Sequence, residues 1–168
     1  MKNLTLVLGG ARSGKSAYAE SLFEGMETPV YLATGAAGDG EMSERIARHR
    51  ERRGEQWRTV EEPIGLAASL MRESRPEQPV LVDCLTLWLG NLMAGGREVV
   101  PACDALLRVL PNLRGPVVLV SNEVGWGIVP DNKMARDFRD HAGELHQRIA
   151  AIADSVVLVT AGLPLTLK

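Results

Sequence analysis

The chain has 168 residues, 45% of them apolar, and a formal net charge of -2. That length suits a single domain over residues 1–168, burying roughly 70% of its extended surface, and the near-neutral balance excludes a generally basic nucleic-acid binder while leaving room for a local basic patch. No apolar run approaches the roughly 18 residues of a membrane span, the chain opens directly on a strand without a signal-peptide pattern, and Cys84 and Cys103 form neither a C-x-x-C pair nor a ligand cluster, which together fit a reducing, cytoplasmic setting with two buried thiols.

The predicted elements begin with a strand over Leu4-Thr5-Leu6-Val7-Leu8, then Gly9-Gly10-Ala11-Arg12-Ser13-Gly14-Lys15-Ser16, then a helix over Ala17 to Phe23. Strand, glycine loop and helix in that order carry the full G-x-x-x-x-G-K-S pattern of a nucleoside-triphosphate site. The glycines let successive backbone N–H groups and the positive helix end face phosphate oxygens, Lys15 reaches the outer phosphates, and Ser16 offers a hydroxyl to Mg²⁺. The bland alternative is a glycine-rich turn without a nucleotide, and the flanking strand and helix speak against it.

Pro29 to Thr34 is a second predicted strand and runs into Gly35-Ala36-Ala37-Gly38-Asp39-Gly40, a loop expected to be mobile. Ser43 then caps a helix reaching about Arg53, with Gly54 as its stop. Met42, Ile46, His49 and Arg53 fall on one face of it, and Arg45, Arg48, Arg50 and Arg52 spread around the rest. One reading is a solvated helix whose arginines pair with Glu44, Glu51 and Glu55 while His49 packs on an apolar stripe. The other follows from the glycine loop: a small phosphotransferase needs cations that close over phosphates, and a helix between Gly40 and Gly54 is able to swing.

Trp57 to Pro63 is extended, and Ile64 to Glu73 is helical with Leu66, Leu70 and Met71 inward. Pro79 to Cys84 is a buried strand of the Walker B form, in which Asp83 helps hold Mg²⁺ opposite the loop serine; the alternative is an acid capping the next helix. Leu85 to Met93 is apolar nearly all round, so buried or subunit-facing, with Trp88 read as core. Ala94 to Arg97 is a turn, and Ala102 to Leu110 a helix between Pro101 and Pro111.

Pro116 to Glu123 is a strand ending in polar residues, followed by Val124-Gly125-Trp126-Gly127-Ile128-Val129-Pro130. Ligands in open parallel sheets sit outside the carboxyl ends of the strands. Asn122, Glu123 and the Gly-Trp-Gly loop are therefore substrate-side candidates, with Trp126 either there or tucked onto the core. Asp131 to Ala153 is a long amphipathic helix striped by Met134, Phe138, Leu145, Ile149 and Ile152, and His141 and His146 beside the stripe read as structural or exposed. Ser155 to Thr160 is a last long strand, and Ala161 to Pro164 turns into a short segment ending at Lys168 that is able to pair antiparallel at an edge. The fold class is α/β, a P-loop NTPase fold with a mainly parallel sheet and helices on both faces.

Three enzyme readings meet this loop. A guanine-specific switch normally carries Asn-Lys-x-Asp, and Asn132-Lys133-Met134-Ala135 lacks the aspartate. A small-molecule kinase without guanylyl transfer, its arginines forming a phosphate lid, explains the loop and Asp83 but leaves His49 idle. A transferase that uses His49 as a nucleophile on a nucleotide phosphate employs all of them.

Gly9 to Ser16, Tyr31-Leu32-Ala33-Thr34, Asp39-Gly40-Glu41-Met42, Arg45-Ile46-Ala47-Arg48-His49, Trp57-Arg58-Thr59-Val60-Glu61, Asp83-Cys84 and Ser121 to Pro130 together resemble the bifunctional adenosylcobinamide kinase and adenosylcobinamide-phosphate guanylyltransferase family of cobalamin biosynthesis. The resemblance covers nearly the whole chain, with the stretch from Met93 to Pro101 short for the family. It implies phosphorylation of the aminopropanol hydroxyl of adenosylcobinamide with ATP or GTP. Transfer of GMP from GTP through a guanylylated histidine would follow, with Mg²⁺ as cofactor, in a homotrimer without nucleic-acid partners.

Carried over residue by residue, the resemblance makes His49 the guanylyl carrier, and Lys15, read from the loop pattern as reaching the outer phosphates, is the second catalytic candidate. The resemblance assigns the nucleotide to Gly9, Gly10, Ala11, Arg12, Ser13, Gly14, Lys15, Ser16, Thr34, Gly35, Ala36, Glu51, Arg52, Arg53, Gly54, Glu61 and Asp83, while the loop and Walker B patterns give Ser16 and Asp83 as the metal candidates. A histidine nucleophile must be neutral, and Arg45, Arg48 and Arg52 disfavour its protonation while stabilising charge on phosphate. Because attack at the γ- and α-phosphorus needs different geometries, the helix carrying His49 is expected to move between states.

Overall fold

The computed structural model describes residues 3–35 and 56–168. In chain order these form β1 (Leu4–Gly9), α1 (Lys15–Ser21), β2 (Val30–Ala33), β3 (Arg58–Glu61), α2 (Leu66–Glu73), β4 (Val80–Asp83), α3 (Leu85–Ala94), α4 (Val99–Val109) with a 3-10 turn over Leu110–Asn112, β5 (Val117–Asn122), α5 (Lys133–Ile152), β6 (Ser155–Thr160) and β7 (Leu163–Thr166). The predicted helix from Ser43 to Arg53, the glycine-rich loop before it, and with them His49 and its arginines lie outside the described residues.

The strands make a seven-stranded sheet in the order β3-β2-β4-β5-β1-β6-β7. All pairings are parallel except β6 with β7, which is antiparallel as the terminal segment led one to expect. The near-continuous apolar strands are read by the period of two. Leu4, Leu6, Leu8, Val80, Val82, Val117 and Leu119 face one side, packing with Leu70 of α2, Leu89 of α3, Leu106 of α4 and Leu145 and Ile149 of α5. Val7, Leu81, Val118, Val120 and Val157 face the other, where α1 contributes Ala19 and the following turn Phe23. Each such side chain, fully buried, is worth about 1.5–3 kcal/mol in transfer terms. Trp57 edges this second face, its ring 4.9 Å from Phe23 and 6.0 Å from Tyr31, and so anchors the entry to β3.

This winding fixes where a ligand can sit. β1 feeds α1 on one face, whereas its neighbour β5 feeds α5 on the other. The chain thus diverges between the carboxyl ends of β1 and β5, and that is the crevice in which open α/β sheets bind ligands.

Several boundaries and faces differ from expectation. α4 begins at Val99 rather than Ala102 and takes Pro101 into its first turn, where a missing N–H costs no intrahelical bond. Met71 is 55% exposed rather than inward, because Ser69 shares the buried face of α2 with Leu66 and Leu70. On α5 the stripe holds at Leu145 and Ile149, but Met134, in the first turn, is 68% exposed, and Ile152 is 41% exposed because Ala153 beside it takes the buried position after Ile149. β7 starts at Leu163, the turn being confined to Ala161 and Gly162, with φ of 53° and 78°. Trp88 is core as read, its Nε1 donating to Ile64 O at 2.8 Å. No helix among the described residues is long and apolar enough to cross a membrane.

Candidate nucleotide site

The glycine loop springs from the central strand. Gly9 ends β1 in register with Asn122 of β5 and Val159 of β6. A Cβ at Gly9 would lie 2.4 Å from Ser13 Oγ and 2.7 Å from Val159 O, so only glycine fits. Gly14 takes φ 93° as the residue before α1, 3.0 Å in Cβ terms from Gly162 Cα, which makes it equally obligatory. The loop is tied down on three sides. Ser13 N–H donates to Gly10 O at 3.3 Å, Gly162 N–H to Ser13 O at 2.8 Å, and Glu123 N–H to Gly9 O at 3.0 Å.

Within this frame Lys15 is only 7% exposed, and its Nζ donates to Gly10 O at 3.2 Å. The ammonium is therefore folded over the loop that carries it. Ser13 is buried, its Oγ accepting from Lys15 N–H at 3.4 Å, whereas Ala11 and Arg12 are exposed on the rim. Ser16 is half-buried in the first turn of α1. Backbone N–H groups, a helix start and one cation converging here form an anion cradle.

The opposite wall is the carboxyl end of β4. Asp83 is half-buried, and its Oδ2 accepts from the Tyr31 hydroxyl at 2.9 Å. The Asp83–Cys84 peptide is cis. Thr34 clasps it: Thr34 Oγ1 donates to Cys84 O at 2.7 Å and accepts from Cys84 N–H at 2.8 Å. The hydroxyl of Thr34, wholly buried, is thus spent on the frame, so this residue shapes the site by joining β2 to β4. Burial first, and then the Asp83 charge, push the Cys84 thiol up, against a smaller opposite pull from Lys15. Cys84, a buried free thiol, belongs to the frame of this wall. Burial likewise pushes Cys103 up to about 11.

The donor set suits Mg²⁺. That ion is usually held by one or two carboxylates with substrate phosphates, keeping waters, and among the described residues no cluster of three or more His, Cys, Asp or Glu would build an all-protein cage. One carboxylate, Asp83, and one hydroxyl, Ser16, beside a phosphate cradle match the first pattern.

Glu61 is exposed at the end of β3, in register with Ala33 and through it with Asp83. Its neighbour Glu62 turns inward: although burial raises its pKa, backbone N–H bonds from Gly65 at 2.7 Å and Ile64 at 3.1 Å, with Ser69 and Arg72, bring it below the usual carboxylate range. It serves the start of α2. Gly35 is half-buried beyond β2, whereas Ala36, His49, Glu51, Arg52, Arg53 and Gly54 lie outside the described residues.

Two polar residues, Asn91 and Thr86, carried no reading in the sequence, and His146 was left as structural or exposed. Asn91 Nδ2 donates to Thr34 O at 2.7 Å and Pro63 O at 3.2 Å, bracing the ends of β2 and β3 from α3. An amide in an otherwise apolar helix was the available signal. Thr86 receives Asn122 Nδ2 at 2.7 Å, so Asn122, read as a substrate-side candidate, has its amide turned toward α3. His146 is buried, its Nε2 2.7 Å from Ser121 Oγ; burial lowers its pKa, and Glu123 pulls the other way. Beyond β5, Trp126 is 77% exposed, which removes the alternative that it tucks onto the core.

Comparison with known proteins agrees with this geometry. The family model described as cobinamide kinase / cobinamide phosphate guanyltransferase matches residues 5–167. The chain is 50% identical over 166 residues to the bifunctional adenosylcobalamin biosynthesis protein CobP of Pseudomonas aeruginosa, covering 97% of this chain and 96% of that one. It is 38% identical over 180 residues to the bifunctional adenosylcobalamin biosynthesis protein CobU of Salmonella typhimurium, covering 98% and 99%. Among solved structures it is similar, at TM-score 0.56 and 12% identity, to an ATPase from the type III secretion system of pathogenic bacteria, over 98% of this chain and 56% of that one. That likeness speaks to the fold alone.

Proposed function

Since the chain belongs to the cobinamide kinase / cobinamide phosphate guanyltransferase family, we propose that it phosphorylates the aminopropanol hydroxyl of adenosylcobinamide with ATP or GTP and then transfers GMP from GTP to that phosphate through a guanylylated His49. The observation that carries this reading is the cradle from Gly9 to Ser16, anchored to β5 and β6, on a chain matched along residues 5–167.

In the first reaction the substrate hydroxyl oxygen attacks the γ-phosphorus, the bond to the bridging oxygen breaks to release the nucleoside diphosphate, and the hydroxyl proton is given up to solvent. Loop N–H groups and Lys15 stabilise charge that gathers on the equatorial oxygens. Mg²⁺, when bound, supplies charge neutralisation of the phosphates, and Ser16 and Asp83 are the residues that would hold it. In the second reaction a neutral His49 nitrogen attacks the α-phosphorus of GTP and pyrophosphate leaves. An oxygen of adenosylcobinamide phosphate then displaces the histidine, giving adenosylcobinamide-GDP and the free enzyme. One cradle serves both nucleotides because triphosphate recognition is the same. A cytoplasmic homotrimer belongs to the same reading, and light scattering gives its mass directly.

The test is incubation with GTP labelled at the α-phosphate. Protein-bound label that survives base but not acid is expected, as for a phosphoramidate. Kinase turnover without any such label would leave only the plain kinase.

A further inference from the structure

We propose that the loop leaving β5, with Trp126 and Ile128 as its contact residues, is the docking platform for the corrin macrocycle of the cobinamide acceptor. This rests on the activity proposed above. The loop starts at the crevice itself, because Glu123 N–H donates to Gly9 O at 3.0 Å and so fastens its root to the first residue of the phosphate cradle. The Glu123 carboxylate does not reach outward; its Oε1 accepts Gly125 N–H at 2.6 Å and stiffens the turn. The far end is equally held. Arg136 Nη1 donates to Pro130 O at 2.8 Å and Asp131 O at 2.7 Å, and Asn132 Oδ1 caps α5 through Ala135 N–H at 2.8 Å.

Between these anchors the loop presents apolar surface to solvent. Trp126 is 77% exposed, Ile128 98% and Val129 60%, whereas Trp88 is buried at 1%. A cluster of this kind on a held loop marks a binding surface, and the triphosphate of a nucleotide gains little from it, while a base stacked on Trp126 would show as lost nucleotide affinity in the experiment below. The acceptor is the ligand with matching chemistry: a broad macrocycle with a methyl- and amide-studded rim. An indole supplies a flat apolar face and an N–H at its edge, suited to both features. The distance argument points the same way. The hydroxyl to be phosphorylated hangs from the macrocycle on a short arm and must come within about 3–3.5 Å of the γ-phosphorus for in-line attack, so the ring has to rest against a surface bordering the cradle. The loop is attached to that cradle by a backbone hydrogen bond.

The experiment is equilibrium dialysis of cobinamide, followed by its visible absorbance, against wild type, Trp126→Ala, Ile128→Ser, Trp126→Phe and, as a control at a remote exposed apolar position, Met71→Ala. Nucleotide affinity and light-scattering mass are measured on the same samples. Weakening of about tenfold or more is expected for Trp126→Ala and Ile128→Ser, as for loss of a central aromatic or aliphatic anchor. Trp126→Phe should recover most of the affinity, Met71→Ala should match wild type, and nucleotide affinity and mass should not change. Cobinamide affinity within about twofold of wild type in both truncated variants overturns the proposal. A reduced mass, with cobinamide affinity returning at concentrations where the assembly re-forms, also overturns it and makes the loop a subunit contact. If wild type phosphorylates cobinamide and the variants do so with unchanged KM, the platform alone fails; if wild type neither binds nor phosphorylates cobinamide, the activity reading fails with it.

Discussion

Asp83 sits where the two demands on a strand-end acid can be separated. Its Oδ2 is engaged by the Tyr31 hydroxyl at 2.9 Å, a bond that an asparagine in its place can still accept. Asp83→Asn is therefore expected to keep the fold and to raise the Mg²⁺ concentration needed for half-maximal kinase rate, because the carboxylate charge is what the ion would lose. A Mg²⁺ titration beside a thermal melt checks this; a lowered Tm with unchanged Mg²⁺ dependence would return Asp83 to a capping role. Residues such as Gly9, Gly14, Lys15 and Asp83 were legible in the sequence because their chemistry is local, written in a loop motif and in the end of an apolar run. Thr34 was singled out in the sequence as a nucleotide-site candidate, but its part in the frame was not legible. The clasp it makes on Cys84 spans fifty positions and exists only once β2 and β4 are paired.

At the scale of elements, α3 shows how a helix of the core also builds the rim of the site. Its apolar residues were read correctly, but Asn91 takes its meaning from the strand ends it reaches, Thr34 O at 2.7 Å and Pro63 O at 3.2 Å. Asn91→Leu should leave both carbonyls without this donor and cost about 2 kcal/mol, a fall in Tm on the order of 4–8 °C for a chain of this size. Calorimetry reads this, and an unchanged Tm would mean that the brace contributes nothing. The strand positions and the mainly parallel sense of the sheet followed from apolar runs alternating with helical periods, whereas the strand order comes from the structure. The misjudged faces have separate causes: at Met71 a serine, Ser69, takes the buried position that apolarity suggested for the methionine, and at Met134 period alone says which residues line up, not how far the neighbouring layer extends to cover them. Likewise the start of α4 ahead of Pro101 was hidden because proline is tolerated in a first turn.

For the whole molecule, the buried His146 couples α5 to β5 and gives stability a pH dependence of definite sign. Burial holds its folded pKa below the ordinary value, so below about pH 6.5 the unfolded chain takes up a proton that the buried ring resists. Stability is full above that pH and is lost as pH falls through the folded pKa, at up to about 1.4 kcal/mol per pH unit for one proton. Urea unfolding between about pH 7.5 and 5.5 should show this slope in wild type and a smaller one in His146→Gln, which still bonds to Ser121; parallel slopes would contradict it. The central claim is that one phosphate cradle runs two chemistries and that only the second needs a covalent carrier. It is tested most directly by the two half-reactions of folded His49→Ala protein. Phosphorylation of adenosylcobinamide should continue near the wild-type rate while adenosylcobinamide phosphate accumulates and neither protein-bound GMP nor adenosylcobinamide-GDP forms; a folded variant that still makes adenosylcobinamide-GDP, or that loses both reactions together, would contradict the account.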